Sequence, residues 1–379
     1  MKKKRILVLT DDKPWGHRSI ARAIYGFLKD NENENNYQVE YLEVKVISSL
    51  TDDIYKFYYK YSPKLGKIAY DSMNNRLASR IMEDVVKRNL LGLKKAINKI
   101  KPDLIISAYF LHSHSLSLWR KEEVMNFKLW TVVADPWSIS PITIVPKADL
   151  HLVYDKVGME VAVKMGVLKD NVMVTGWWTR QDMYKKIDVK KIKKRRGVND
   201  NRPVIFVGGG SLGTSALPKL LPILFFLKKK AFFIVNTGTD KLAFNLVENY
   251  VKLLEKARKD NFVQVKCLGW IENMAEVLSA CDIVFGKAGP NFLFDCVACQ
   301  KPFVAITHIG GQEDGNIDLI RKKKLGWVKE RTDEMNKFLL EYLDNPKYFE
   351  NKYKKDILKE AEVNKRALPL ILERIKKDL

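Results

Sequence analysis

Val204-Ile205-Phe206-Val207-Gly208-Gly209-Gly210-Ser211-Leu212-Gly213-Thr214-Ser215 decides the fold. Four apolar residues, rich in β-branched and aromatic types, run into glycines and then into a leucine-rich stretch. The apolar run is too short for a helix, and the glycines punctuate it, so the segment reads as a strand, a tight turn and a helix. The same unit recurs upstream. Arg5–Thr10 reads as a strand, and a helix follows with Ile20, Ile24, Phe27 and Leu28 on one face. Further strands are read at Val39–Val44, Leu104–Ser107, Leu129–Ala134, Leu152–Tyr154 and Val172–Thr175. After the quoted stretch come Phe232–Asn236, Val263–Cys267, Ile283–Phe285 and Phe303–Ile306. Short apolar runs alternating with helical segments are the pattern of a parallel α/β protein.

A composition break divides the two series. Lys185 to Arg196 holds eight positive residues and one acid, Asp188. The expected organisation is therefore an N-terminal Rossmann-like domain over 1–180, a basic linker over 181–202 and a second Rossmann-like domain over 203–345. Charged helices over 346–379 are expected to close the chain and pack back on the first domain. In open parallel sheets ligands lie at the carboxyl ends of strands, so function is expected in the loops after strands, in both halves, facing a common cleft.

The 379 residues suffice for two cores, and 46% hydrophobic content excludes a disordered chain. No run of 18 apolar residues exists; Leu220–Leu227 is short and bracketed by Lys219 and Lys228. The basic Met1–Arg5 leads into a strand-like run, not into the apolar region of a signal peptide. With four cysteines and no targeting segment, a reducing cytoplasm is expected. Cys296 and Cys299 form a lone C-x-x-C inside an apolar helical pattern, which favours packing over metal or redox chemistry. The net charge of +22 favours polyanionic partners, namely anionic headgroups or phosphorylated substrates. No nucleic-acid module is visible, so nucleic acid is not expected. A Lys-rich composition without functional meaning is the competing explanation.

Four loops could carry chemistry. Asp11 to Arg18 follows the first strand and opens the first helix. His17 there sits at a helix N-terminus, whose positive partial charge favours a neutral imidazole able to take a proton from a hydroxyl. A capping or surface histidine is the alternative. Gly208–Gly213 lacks both a Walker lysine and an acidic ribose partner about twenty residues on, but suits a diphosphate cradle. Lys287-Ala288-Gly289-Pro290-Asn291 is a second glycine turn at a helix start, followed by Asp295, whose carboxylate could accept both ribose hydroxyls. A plain N-terminal acid is the alternative there. Gly310-Gly311-Gln312-Glu313-Asp314-Gly315-Asn316 groups amides and carboxylates suited to a polyol, or merely forms a polar surface loop.

Together these loops resemble glycosyltransferase family 28, in particular its monogalactosyldiacylglycerol synthase and diacylglycerol glucosyltransferase branch. Gly16-His17-Arg18 looks like the GHR motif, and Val133-Ala134-Asp135-Pro136 resembles the T-D segment. Gly176 to Arg180 looks like the stretch that closes the N-terminal domain. Leu268-Gly269-Trp270-Ile271-Glu272-Asn273-Met274, Ala280-Cys281-Asp282 and Lys287-Ala288-Gly289 look like the G-F-x-x-N-M, A-A-D and K-x-G block. Gly311 to Asn316 is similar to G-Q-E-x-G-N. The resemblance implies a GT-B fold and inverting transfer of a hexose, galactose or glucose, from a UDP-sugar, with no metal or other cofactor. It implies His17 as general base, Ile271 against the uracil and Asp295 on the ribose. It places Gly209, Gly210 and Gly213 along the diphosphate, Gln312 and Glu313 at the hexose, and Gly289 and Asn316 in the nucleotide-sugar site. Two positions depart from the family. Pro14 and Trp15 stand where relatives have glycines, and Asp295 stands where Glu is usual.

The insertion between the second and third strands carries Tyr55, Phe57, Tyr58, Tyr59 and Tyr61 among Lys56, Lys60, Lys64 and Lys67. Rings and ammonium groups in this mixture suit a bilayer headgroup region, though a helix packed on its own domain would also use them. Trp15, Asp135, Tyr55, Tyr58 and Tyr59 are thus the acceptor-side candidates. The expected protein acts on a lipid such as diacylglycerol, attached peripherally to the anionic cytoplasmic membrane face. The alternatives are a polyprenyl-linked acceptor, a UDP-sugar 2-epimerase or a non-catalytic membrane-binding relative.

Overall fold

The structure is a computed structural model and describes residues 3–13, 16–46, 76–122, 126–208 and 217–379, with the backbone alone for 76–83 and 122. Two compact units are formed. The first holds residues up to Gln181 together with Gly310–Gly315 and Val363–Leu379; the second holds Asp182–Ile309 and Asn316–Glu362.

In the first unit the chain runs β1 (Lys4–Asp11), α1 (Gly16–Asp30), β2 (Tyr37–Val44), α2 (Arg76–Ile100), β3 (Leu104–Ser107) and α3 (Phe110–Glu122). It continues through β4 (Lys128–Val132), β5 (Leu150–Val153), α4 (Lys156–Lys164) and β6 (Val172–Val174). The six strands make one sheet, in the order β2-β1-β3-β4-β5-β6, and every pair is parallel. Parallel strands covered on both faces read as unbroken apolar runs. Accordingly Ile6 to Leu9 of β1 are all fully buried. Leu7, Leu9, Ile105 and Leu129 pack beneath Leu93, Ile97, Leu116 and Trp119 of α2 and α3.

The second unit runs α5 (Val189–Arg195), β7 (Val204–Gly208), α6 (Leu217–Leu220), β8 (Ala231–Asn236), α7 (Lys241–Ala257), β9 (Val263–Leu268), α8 (Met274–Ala280) and β10 (Ile283–Lys287). Then come α9 (Pro290–Ala298), β11 (Phe303–Thr307), α10 (Asp314–Lys322), β12 (Gly326–Val328), α11 (Thr332–Asp344), α12 (Pro346–Lys352) and α13 (Lys354–Lys365). Its sheet is also all-parallel, in the order β12-β11-β10-β7-β8-β9. Its core joins Ile205, Val207, Phe233, Val235 and Phe285 to Phe338, Leu339 and Tyr342 of α11.

Helix α14 (Ala367–Asp378) ends the chain in the first unit and packs near α1. There Gly176, at φ +87°, leaves room for Asn364, whose Oδ1 accepts from Trp177 N at 2.9 Å. A Cβ at Gly176 would stand 3.0 Å from that oxygen.

Within the basic stretch expected as a linker, Asp188 caps α5 by accepting from Lys191 N at 3.1 Å. Ile192 of α5 is buried, and Lys193 Nζ donates to both oxygens of Asp282 at 2.9 Å. Asp282 also accepts from Val204 N at 2.8 Å, so this member of the A-C-D segment fixes the start of β7.

Candidate active site

In each sheet the chain leaves one central strand to the left and returns on its right. In the first unit this topological switch lies between β1 and β3, and in the second between β7 and β10. Carboxyl ends of strands part there and leave a crevice for ligands.

The crevice of the first unit is lined by titratable groups. Thr10 and Asp11 end β1 and are fully buried. Thr10 Oγ1 donates to Asp11 Oδ1 at 3.2 Å, while Asp11 Oδ2 is buried with no hydrogen-bond partner. Burial pushes the Asp11 carboxyl up to about 6. His17 is the second residue of α1 and half-buried, with a buried Nδ1 that has no partner. Burial, seconded by the Lys13 charge, lowers its pKa to about 4. That shift leaves the imidazole neutral at pH 7, with burial as its first cause. Tyr109, two residues after β3, sets its ring edge-on to His17 at 5.1 Å and to His112 at 5.2 Å between centroids.

His112 was not singled out from sequence. It is fully buried on α3, with Nε2 3.2 Å from Val44 O and Nδ1 3.0 Å from Asn89 Nδ2. Those partners assign the proton to Nε2 and make Nδ1 the acceptor. Burial lowers its pKa to about 4. The readable signal was His112, Ser113, Ser115 and Ser117 interleaved with apolar residues: all four are buried.

Asp135 follows β4 in a loop pinned at both ends. Trp137 Nε1 donates to Asp155 Oδ2 at 3.0 Å, and Ser138 Oγ accepts from Gly315 N at 2.7 Å. Gly315 approaches so closely that a Cβ would lie 2.6 Å from Ser138 N and from Trp137 C. The 310–315 loop thus rests on the Asp135 loop, and Gly311 N turns back onto Asp314 Oδ1 at 2.9 Å. Glu313 is buried in it and Gln312 half-buried. Burial, with the Glu313 charge second, pushes the half-buried Asp135 up to about 7. Trp15, Tyr55, Tyr58 and Tyr59 lie outside the described residues.

The crevice of the second unit is lined mainly by backbone. A Cβ on Gly286 of β10 would stand 2.5 Å from Gly208 O, and one on Gly208 would stand 2.9 Å from Asn236 O. Gly209, Gly210 and Gly213 lie outside the described residues. Beyond the buried Lys287 and Ala288, Gly289 caps α9 with Pro290 at its first position. Pro at that position surrenders only a donor that had no helical acceptor. Asp295 stands half-buried in the second turn, past the reach of the helix dipole, which argues against a plain N-terminal acid. Asn316 of α10 is buried; its Nδ2 donates to Ala288 O at 2.8 Å, and its Oδ1 is buried with no partner. Ile271 lines a hollow of about 390 Å³ with Trp270, Asn273 and Arg196. Asn273 caps α8, accepting from Glu276 N at 3.1 Å.

Sequence reasoning also passed over His308. It follows β11, and its Nδ1 lies 2.6 Å from Glu330 Oε1 at the end of β12. Cys296 and Cys299 are free thiols raised by burial, and Cys299 Sγ donates to Met183 O at 3.6 Å. Among the described residues no group of three or more His, Cys, Asp or Glu gathers as a metal set.

Two Rossmann-like units with all-parallel sheets, each with a topological switch point, define the GT-B class. A family model for monogalactosyldiacylglycerol synthase matches residues 17–177, and one for the glycosyltransferase family 28 C-terminal domain matches 204–368. The chain belongs to glycosyltransferase family 28, in the branch of monogalactosyldiacylglycerol synthases and diacylglycerol glucosyltransferases. It is 23% identical over 366 residues to a probable chloroplastic monogalactosyldiacylglycerol synthase of Glycine max, covering 92% of this chain and 67% of that protein. It is 22% identical over 344 residues to a processive diacylglycerol beta-glucosyltransferase of Staphylococcus carnosus, covering 89% and 84%. The chain spans about two thirds of the length of the plant relatives it matches. Among solved structures, a glycosyltransferase from Rickettsia africae superposes with a TM-score of 0.60 at 14% identity, over 100% of both chains. A UDP-GlcNAc 2-epimerase from Neisseria meningitidis gives 0.64 at 13% identity, over 99% of this chain and 100% of the other. Such identities speak for the fold alone.

Proposed function

We propose that the protein is an inverting, UDP-sugar-dependent hexosyltransferase that glycosylates a lipid hydroxyl, with diacylglycerol as the acceptor class. His17 carries the reading. A half-buried, neutral imidazole whose Nδ1 is buried without a partner, held at a switch point, suits a general base. The acceptor oxygen attacks the anomeric carbon, the bond from that carbon to the diphosphate oxygen breaks, and the acceptor proton passes to His17. UDP departs with the electron pair.

The second unit holds the nucleotide of the donor. Gly208 and Gly286 let the nucleotide approach the main chain, and the first turn of α9 meets the diphosphate charge, with Gly209, Gly210 and Gly213 as the further candidates from sequence. No metal ion is required in this scheme. Asp295 takes the ribose, Ile271 the uracil, and Asn316 Oδ1 a donor hydroxyl. Gln312 and Glu313 take the hexose, and Asp135 orders the acceptor.

The +22 charge supports a peripheral position on an anionic membrane surface, at the cytoplasmic face. Among the described residues no helix is long and apolar enough to cross a membrane.

The test is a product screen by mass spectrometry with UDP-glucose and UDP-galactose against diacylglycerol and polyprenyl acceptors. His17→Ala should lower turnover by about 10²–10⁴-fold while UDP binding by calorimetry persists. Full turnover in that variant would remove His17 from the chemistry. Conversion of UDP-sugar without any acceptor would favour an epimerase.

A further inference from the structure

The outward face of α7 carries more apolar surface than its packing uses. Asp240 caps the helix by accepting from Ala243 N at 2.9 Å, and Val247 and Leu254 seat it in the core. On the other side, Leu242, Leu246 and Leu253 are 71%, 62% and 57% exposed. Spacings of four and seven residues put the three in one stripe along the helix. Beside the stripe runs a row of exposed lysines at Lys241, Lys252 and Lys256. Glu248 and Glu255 lie beyond that row, on the side away from the leucines.

A second element extends the patch. Phe225 packs edge-on to Tyr250 of α7 at 5.4 Å, and its neighbour Phe226 is 78% exposed. Tyr250 borders the leucine side of the helix by the same angular count. Exposed Lys228, Lys229 and Lys230 follow Phe226. Lys229 Nζ pairs with Asp344 at 2.8 Å, and Lys230 lies 3.9 Å from Asp200. Lysines therefore run beside the leucine stripe on α7 and follow Phe226 in the chain.

We propose that this face of α7, with Phe226, is a docking surface for anionic lipid. It rests on the membrane-surface reading above and assigns a contact to the second unit. An in-plane amphipathic helix places its apolar stripe at the acyl boundary, and lysine stems reach back to phosphate. Charge decides between occupants. A second copy in an isologous contact would set these lysines against their own counterparts, whereas anionic headgroups complement them.

The full chain would be sedimented with phosphatidylcholine vesicles and with vesicles enriched in phosphatidylglycerol. A variant combining Leu242→Ser, Leu246→Ser and Leu253→Ser should lose about tenfold or more in partition to the enriched vesicles. Its thermal midpoint, UDP binding and transfer to detergent-dispersed diacylglycerol should stay unchanged, because the three side chains face outward. A variant combining Lys241→Gln, Lys252→Gln and Lys256→Gln should lose about fivefold per lysine at low salt and little at high salt. Undiminished vesicle binding by the leucine variant would overturn the docking surface and leave the hexosyltransferase reading intact. A wild-type protein indifferent to anionic lipid would overturn both the docking surface and the membrane attachment. Loss of a dimer in light scattering, with vesicle binding unchanged, would give the face to a second copy.

Discussion

The crevice of the first unit and that of the second have the same topology and opposite chemistry. At the end of β1 and β3 stand Asp11, His17, Tyr109 and His112, all ring or acid groups with buried polar atoms. At the end of β7 and β10 stand Gly208 and Gly286, with the cap of α9 beyond them. Activating a hydroxyl needs a group that changes its proton count. Holding a nucleotide diphosphate needs close approach of main chain. On the proposed reading one architecture supplies both, because side chains at strand ends are free to vary while the sheet beneath is not.

The largest effect that would break this division concerns His17. His17→Gln should cost about 10²–10⁴ in kcat, roughly 3–5 kcal/mol, with UDP affinity unchanged by calorimetry. A parallel fall in UDP affinity would mean that the first crevice also holds the donor.

Next in size is the stability held back by the buried acid. Folding raises Asp11 from 3.8 to about 6, so its contribution is most favourable below 3.8 and is lost as pH rises through about 6. Asp11→Asn should therefore stabilise the protein by up to about 3 kcal/mol at pH 7, and by nothing at pH near 3.5. Urea unfolding at the two pH values measures this. His112 has the opposite dependence. Folding lowers it from 6.5 to about 4, so its contribution is full above 6.5 and is lost as pH falls toward about 4. His112→Leu should flatten the acid side of the thermal midpoint curve, by up to about 3 kcal/mol at pH 4.

In the second crevice the effect is steric. Gly286→Ala sets a methyl against Gly208 O and should cost about 1–3 kcal/mol of stability, since the obstacle is backbone. The smallest effect is Asp295→Asn, with UDP affinity down about tenfold and the pH dependence of turnover unmoved. An unchanged affinity would take Asp295 off the ribose.

Much of this was legible in the sequence for a physical reason. A strand buried on both faces must be apolar throughout, and Val204–Val207 or Phe303–Ile306 admits no other reading. β12 escaped because Gly326-Trp327-Val328 is three residues long and has no run to read. Among candidate site residues, those beside a glycine or in the helix opened by a glycine turn were visible, as with His17, Asn316 and Asp295. Tyr109, His112 and His308 were not, because what makes each matter is a partner far away in the chain: His17, Val44 and Glu330. The burial of Asp11 was equally hidden, since an Asp-Asp pair after a strand looks like a solvated turn.

The paired glycines of β7 and β10 carry a consequence for how such enzymes change. A floor made of carbonyl oxygens and hydrogens has no side chain to exchange, so it cannot be retuned one residue at a time. A preference for another nucleotide would have to enter through grafted loops around that floor, while the floor itself passes unaltered from one specificity to the next.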